Sequence, residues 1–232
     1  MNLLPSFQSG LNALIVGATG GIGAAFADLL DADPAVASVT RWSRSIGVDL
    51  TDAASITAAT AALTTAPDLV FIATGVLHGA GLSPEKANSQ LSAEALATAF
   101  AVNTIGPALV ARALLPLMPK GRKTVLAALS ARVGSISDNR LGGWHSYRAS
   151  KAALNQLLHT MAIEQVRRNP DQVVLALHPG TVDSGLSKPF QSGVKTLFTP
   201  DESARHLLRV IDTATPAQSG LLIDWQGAVI PF

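Results

Sequence analysis

Short apolar segments alternate with longer amphipathic segments along most of the chain. Apolar runs bounded by Gly, Pro or Asp are typical of strands buried on both faces, and the segments between them have helical spacing. The pattern predicts strands at residues 12–17, 36–42, 47–50, 68–73, 124–129, 173–178 and 220–224. It predicts helices at residues 21–30, 55–66, 92–115, 147–168 and 201–211.

This alternation predicts an α/β fold, namely a doubly wound parallel seven-stranded sheet with helices on both faces. The connections are short and no repeat or linker stands out, so we expect residues 1–232 to form a single Rossmann domain. Residues 178–200 are the longest stretch without a predicted element. Loops of that length often act as lids.

Charge and residue types exclude several classes of function. The formal charge is +1, from 17 basic and 16 acidic residues without a basic stripe, so no nucleic-acid partner is expected. Cysteine is absent and the five histidines are scattered, so no metal site is expected.

The apolar segments indicate where the protein resides and how it assembles. The first residues lack a signal-peptide pattern, and no run of about 18 apolar residues occurs. We therefore expect a cytoplasmic protein without membrane contact. The predicted helices at 92–115 and 147–168 are rich in Ala and Leu on more than one face, which indicates a homodimer surface.

The run VGATGGIG, residues 16–23, joins the first strand to the first helix. Glycines here allow a tight turn and let the helix amides approach a pyrophosphate. An ordinary tight turn would also use glycines, but the order of strand, turn and helix favours a dinucleotide site. The predicted cofactor-binding residues of this turn are Gly17, Thr19, Gly20, Gly21, Ile22 and Gly23.

The end of the second predicted strand concerns the choice of cofactor. Many dinucleotide folds have an acid there that binds the ribose 2′-hydroxyl, whereas this chain has Arg41 and Arg44. An arginine can pair with a 2′-phosphate, so NADP(H) is favoured over NAD(H). Alternatively, both arginines are solvated residues at the end of an edge strand.

The only tyrosine, Tyr147, precedes Lys151 by one helical turn, so both side chains lie on one helix face. A nearby ammonium is expected to lower the phenol pKa from about 10, which would suit a proton carrier. A solvated surface pair is the alternative. Pro107 follows Asn103 by four residues and would leave the Asn103 carbonyl without its helical partner.

Six runs in this order resemble the short-chain dehydrogenase/reductase family, and within it the C-factor-like and Sniffer-like carbonyl reductase branch. They are VGATGGIG (16–23), VDLTD (48–52), AVNTIGP (101–107), ARVGSISDN (131–139), YRASKAALN (147–155) and HPGTVDSGLSKPF (178–190). The resemblance implies an oxidoreductase in which Asn103, Tyr147 and Lys151 are catalytic.

The resemblance also implies cofactor contacts outside the glycine turn. Asp49 would bind the adenine amine, and the run from Pro179 would line the nicotinamide carboxamide. Of the family's motif after the fourth predicted strand, only Gly75 matches. The residues implied are Asp49, Leu50, Gly75, Tyr147, Lys151, Pro179, Gly180, Thr181 and Val182.

The catalytic serine is less clearly marked. The family often has two serines before x-x-Gly and uses the second, and here Ser130 and Ala131 occupy these positions. We expect Ser130 to polarise the substrate oxygen, with Ser135 as the alternative.

We therefore expect NADP(H)-dependent interconversion of a small-molecule carbonyl and its alcohol, with Tyr147 as general acid and base. The alternative is a cofactor-binding regulatory or signalling protein with little turnover. A serine hydrolase is disfavoured because no G-x-S-x-G elbow occurs.

Loops 75–92, 131–146 and 183–200 are expected to form the substrate pocket. A hydrogen-bonded loop position is expected for His78, and Trp144 and His145 either border the substrate or only pack.

Overall fold

The computed structural model describes residues 2–79 and 81–232. Met1 lies outside the described residues, and so does Ala80, which belongs to the predicted substrate loop 75–92. The strands of the described chain are β1 (Leu11–Val16), β2 (Val36–Trp42), β3 (Leu69–Ile72), β4 (Thr124–Leu129), β5 (Gln172–His178), β6 (Thr181–Val182), β7 (Leu197–Phe198), β8 (Leu222–Asp224) and β9 (Val229–Ile230). Its α-helices are α1 (Gly21–Asp31), α2 (Ala53–Ala61), α3 (Ala93–Phe100), α4 (Gly106–Leu114), α5 (His145–Gln165) and α6 (Pro200–Thr213).

Seven strands form one sheet in the order β2-β1-β3-β4-β5-β8-β9. The strand order reverses between β1 and β3, which is where doubly wound sheets bind ligands at the carboxyl ends of their strands. The predicted Rossmann fold is thus confirmed. The sheet is parallel as predicted except for its last pair, in which β9 runs antiparallel to β8.

Residues 47–50, predicted as the third strand, form a loop instead. The Asp49 carboxylate accepts hydrogen bonds from the Thr51 amide and hydroxyl at 2.8 Å, and the Asp49 amide donates to Ser55 Oγ at 2.9 Å. These local bonds satisfy backbone groups that a strand would pair with a neighbour. The count of seven sheet strands is reached through β9, which was not predicted.

Alternate residues of each strand feed two cores, one on each face of the sheet. On β1, Ala13 and Ile15 face the layer of α1 and α6, and Leu14 faces the layer of α2, α4 and α5. In the first core, the rings of Phe26 and Phe71 stack with their centroids 3.9 Å apart. Both faces are covered as predicted.

The long helix predicted at 92–115 is present as α3 and α4, joined by a π-helical turn at Ala101–Ile105. Pro107 lies just beyond this turn, where its missing N–H disturbs the regular bonding. The stretch Ala93–Leu117 is long and apolar enough to cross a membrane. In this fold, it packs against α2 and α5, so its apolar face serves the core of a soluble fold.

Candidate active site

The glycine turn between β1 and α1 requires glycine at two positions. Gly17 has φ +83°, in the left-handed region that other residues rarely adopt. A Cβ on Gly23 would lie 2.3 Å from the Gly17 carbonyl oxygen, which is closer than packed atoms approach. Without side chains at these two positions, the turn packs closely against the start of α1, whose first amides can face an anion.

A cleft of about 360 Å³ opens beside this turn, at the carboxyl ends of β1, β2 and β3. Within the described residues, Thr74 Oγ1 is buried on its wall without a hydrogen-bond partner, as a group awaiting a polar ligand would be. The cleft has the polar groups and glycine surfaces that an adenosine phosphate needs. The predicted cofactor residues that line it are Gly17, Thr19, Gly20, Arg44, Asp49, Leu50 and Gly75.

A second cavity of about 280 Å³ continues from the cleft toward α5. Gly20 lines the cleft and Ile22 lines the cavity. Val76 likewise lines the cleft, and its neighbour Leu77 lines the cavity. The two adjoining spaces form an elongated site, as an extended ligand such as a dinucleotide requires. The predicted site residues on this side are Ile22, Ser130, Tyr147, Pro179, Gly180, Thr181 and Val182.

Asn103 and Lys151 are buried behind Gly75 of the cleft and line neither of the two described spaces. A Cβ on Gly75 would lie 3.5 Å from Asn103 Oδ1 and 3.7 Å from Lys151 Nζ. Asn103 Oδ1 accepts from the Val76 amide at 2.8 Å, and its Nδ2 donates to the Val76 carbonyl at 2.9 Å. Lys151 Nζ donates to the Leu129 carbonyl at 2.8 Å.

The two candidate serines have different surroundings. Ser130 lines the cavity, and its hydroxyl donates to Asn155 Oδ1 at 2.6 Å. Ser135 Oγ donates to the Pro231 carbonyl and accepts from the Asp138 amide at 3.1 Å, away from the cavity wall. The geometry therefore brings Ser130, and not Ser135, together with Tyr147.

Residues 11–195 match the family model described as short chain dehydrogenase. The chain belongs to the short-chain dehydrogenase family. Over 137 residues, 59% of this chain and 78% of the relative, it is 38% identical to C-signal of Myxococcus xanthus, which confirms the predicted branch. Over 178 residues, 75% of this chain and 74% of the relative, it is 34% identical to 1-hydroxy-2-glutathionyl-2-methyl-3-butene dehydrogenase of Rhodococcus sp. (strain AD45).

Solved structures share the fold over nearly the whole chain. NADPH-bound carbonyl reductase from chicken fatty liver superposes with a TM-score of 0.82 at 24% identity, covering 98% of this chain and 96% of that one. The carbonyl reductase Sniffer of D. melanogaster gives a TM-score of 0.80 at 18% identity, covering 97% and 100%. The protein is thus an oxidoreductase of the short-chain dehydrogenase type with the fold of these enzymes.

In this short-chain dehydrogenase site, the pKa of Tyr147 is raised, whereas the sequence predicted that it would be lowered. Burial raises the pKa of Tyr147 to about 12 and lowers the pKa of Lys151 to about 7. The Lys151 amine lies 5.9 Å from the centroid of the tyrosine ring and is turned to the Leu129 carbonyl. A lysine that is largely neutral above pH 7 cannot offset the cost of burying a phenolate.

The two arginines predicted for the cofactor occupy different places in this dehydrogenase. Arg41 Nη2 pairs with Asp28 at 2.7 Å and Asp31 at 2.5 Å, both on α1, and these bonds raise its pKa. Arg41 thus ties β2 to α1 and does not line the described cleft, contrary to its predicted place at the cofactor. Arg44 is exposed and lines the cleft. The hydrogen bonds from Thr51 lower the pKa of Asp49, and the nearby charge of Arg44 lowers it further.

Residues 178–200, predicted as an unstructured lid, contain the small parallel pair β6 and β7. Its outer part rests on the opposite loop, because His78 Nε2 contacts the Gly185 carbonyl at 3.0 Å. The Trp144 ring packs edge-on against Phe190 at 5.1 Å and against Tyr147 at 6.2 Å. Trp144 both borders the cavity and packs, whereas His145 contacts Asn88 at 2.9 Å.

Sequence reasoning missed two polar residues in the cavity wall of the dehydrogenase, His178 and Arg132. Burial and the nearby Arg132 lower the pKa of His178 to about 4, so the imidazole is neutral at physiological pH. Within the described part of the chain, its Nδ1 has no hydrogen-bond partner. The signal available was its place at the end of β5, directly before Pro179.

The raised phenol pKa predicts a late titration of Tyr147. Because the chain has one tyrosine, ultraviolet difference spectra of phenolate formation report on this side chain alone. We expect a midpoint near pH 12 without cofactor, compared with about 10 for an exposed phenol. Lys151→Met should leave the midpoint nearly unchanged, since the amine carries little charge in this range. A midpoint below that of a free phenol would contradict the burial argument.

Proposed function

We propose that the protein is an NADP(H)-dependent oxidoreductase that interconverts a small carbonyl compound and its alcohol in the cytoplasm. One observation carries this proposal: Tyr147 lies on the cavity wall, and Lys151 and Asn103 lie buried behind Gly75, which lines the adjoining cleft. A phenol, an amine and an amide gathered there have chemical use only if a proton is delivered next to a bound cofactor.

The acidities of the two side chains define a direction for the proton. When bound, NADPH supplies the hydride that reduces the carbonyl carbon. Tyr147 remains protonated at neutral pH and donates to the carbonyl oxygen. The phenolate left behind is a strong base, whereas Lys151 with a pKa of about 7 is a ready acid. Return of a proton from the lysine side to the tyrosine is therefore downhill.

The cavity favours a neutral, largely apolar substrate. Leu77, Trp144 and Phe190 contribute apolar surface to its wall. The Arg132 guanidinium there is paired with Asp138 at 3.0 Å and Asp224 at 3.2 Å, so it offers little net charge to an anion. The carbonyl reductases that share the fold support a carbonyl compound as the substrate.

The 38% identity to C-signal supports a second candidate function, a cofactor-binding signalling protein with little turnover. Ala131 stands where the family often has its catalytic serine, which fits weak chemistry. Turnover of a carbonyl panel with NADPH distinguishes the two candidates.

The expected homodimer belongs to the same proposal. Ile105 at the junction of α3 and α4, and Leu157 and Ile163 on α5, are large apolar side chains exposed on the two long helices. Apolar residues at these places support a helix-to-helix surface between two copies.

Arg44 is the residue to test for cofactor choice. We expect NADPH to bind more tightly than NADH, and Arg44→Ala to narrow this ratio by about tenfold, the effect of one charge-assisted hydrogen bond of about 1.5 kcal/mol. Titration calorimetry with both cofactors measures it. Arg41→Ala is the matched control, since that guanidinium is held by α1, and it should leave the ratio unchanged. Equal affinities in the parent protein would exclude NADP preference.

Ser130→Ala should lower kcat by about 10²-fold, the usual cost of losing a positioned oxyanion donor. To act on the substrate, the hydroxyl must turn from Asn155 to the carbonyl oxygen. Ser135→Ala is the control and should leave steady-state kinetics unchanged, because its hydroxyl is bound to Pro231. The reverse result would transfer the role to Ser135. If neither variant loses activity, the neighbouring His178 becomes the group to replace.

Tyr147→Phe keeps the ring and removes the proton, so kcat should fall by at least about 10²-fold while NADPH affinity changes little. NADPH consumption with a panel of neutral aldehydes and ketones measures kcat, and fluorescence titration measures affinity. Lys151→Met should lower both kcat and NADPH affinity. Full turnover in Tyr147→Phe would refute the proposed chemistry.

A further inference from the structure

The helix that carries Tyr147 begins without a capping side chain of its own in the described structure. Its N-cap residue is Trp144, whose indole offers no acceptor oxygen for the first amides of α5. Trp144 also has φ 53°, the single positive φ of a non-glycine residue in the described ranges. A strained residue next to the proposed proton donor must be held in place by its surroundings.

Glu85, on the loop that follows β3, supplies the missing cap. One carboxylate oxygen accepts from the Ser146 amide at 3.1 Å, and the other accepts from the Ser146 hydroxyl. The Glu85 carbonyl accepts from the Trp144 amide, so the same residue also holds the strained backbone. Three hydrogen bonds thus join Glu85 to the two residues that flank His145 and precede the tyrosine.

The charge of Glu85 suits this place. Only 3% of the residue is exposed. Burial alone would raise its pKa, but the hydrogen bonds from Ser146 and from the backbone of Glu85 itself, together with the nearby His145, outweigh burial and lower the pKa. Glu85 is therefore a carboxylate at the amino-terminal end of a 21-residue helix, where a negative charge is stabilised by the helix amides.

Glu85 and Tyr147 also face each other across little space. Both line a void of about 10 Å³, at the lower limit of what one water needs. A truncated Glu85 would leave the amide and hydroxyl of Ser146 without their partner in a place where water enters poorly. The first turn of α5, and with it the direction of the phenol, would then shift to find other partners.

We propose that Glu85 is the positioning residue of Tyr147: capping α5 from the neighbouring loop, it fixes the phenol at the cavity wall. The catalytic part of this inference rests on the proposed function, in which Tyr147 donates the proton. The positional part concerns the tyrosine ring alone and is measurable without turnover.

Kinetics of Glu85→Ala test the catalytic part. A misplacement of about 1 Å costs up to roughly 10²-fold in rate, so we expect kcat to fall by about 10- to 100-fold with the KM for the carbonyl and the affinity for NADPH nearly unchanged. Glu85→Gln should restore most of kcat, because its amide can bond both Ser146 groups. Asp33→Ala is the matched control: Asp33 is equally buried, at 3% exposure, and caps backbone amides of Leu3 and Ala35 far from the tyrosine. It should lose stability while kcat stays at the parental value.

The single tyrosine provides the readout that is independent of activity. In protein labelled with ¹³C-tyrosine, one ring spin system reports on Tyr147. Glu85→Ala should shift or broaden it, Glu85→Gln should largely restore it, and Asp33→Ala should leave it unchanged. If Glu85→Ala does not fold, Ser146→Ala removes one of the three bonds and should shift the signal in a folded protein.

The outcomes separate the two proposals. An unchanged tyrosine signal in folded Glu85→Ala, or in Ser146→Ala if Glu85→Ala does not fold, would overturn the positioning role whatever the activity. A parental kcat in Glu85→Ala, together with a strong loss in Tyr147→Phe, would overturn its catalytic consequence alone. Full turnover in Tyr147→Phe would refute the proposed function, while the tyrosine signal would still decide whether Glu85 positions the ring.

Discussion

The paired hydrogen bonds between Asn103 and the backbone of Val76 are the contact on which the site depends. Asn103 is completely buried in the π-helical turn between α3 and α4, and its amide also donates to Ser150 Oγ on α5 at 3.1 Å. One side chain therefore joins the loop after β3, the long apolar helix and the helix of Tyr147 and Lys151. Buried amide groups must find partners, so these three elements can pack in only one relative position.

Patterns in the chain predict the frame of the site because they express local physics. Buried strands, the glycine turn and the i, i+4 spacing of Tyr147 and Lys151 each depend on neighbours along the sequence. Residues 47–50 have a strand-like composition, but the Asp49 carboxylate competes for the backbone. The two-residue β9 is too short to leave a pattern. Contacts between distant elements could not be predicted from the sequence. Arg41 has the charge that a cofactor phosphate would need, but two carboxylates of α1 bind it instead.

The same distinction explains the electrostatics. Spacing along a helix predicts that an ammonium lies near the phenol, and a charge at that distance would lower the phenol pKa in a polar medium. The fold instead buries Lys151 and half-buries Tyr147 at the cavity wall, and burial penalises the charged form of each. The result is a neutral phenol beside an amine that is easily deprotonated. A proton donor at neutral pH is then obtained from partial burial of the phenol, without any ion pair between the two groups.

The loop after β3 has a consequence for how this site can diverge. It contributes Leu77 to the cavity wall, Val76 to the contact with Asn103 and Glu85 to the start of α5. Any insertion or deletion that reshapes this wall for a new substrate also moves the tyrosine helix, so specificity and rate cannot change independently there. The segment after β6 is tied down by a two-stranded pair and by His78. Because this segment has its own anchors, it can change without moving α5. Natural variants and mutant libraries with a broader substrate range should therefore carry their substitutions between β6 and β7 and keep the length of the loop after β3.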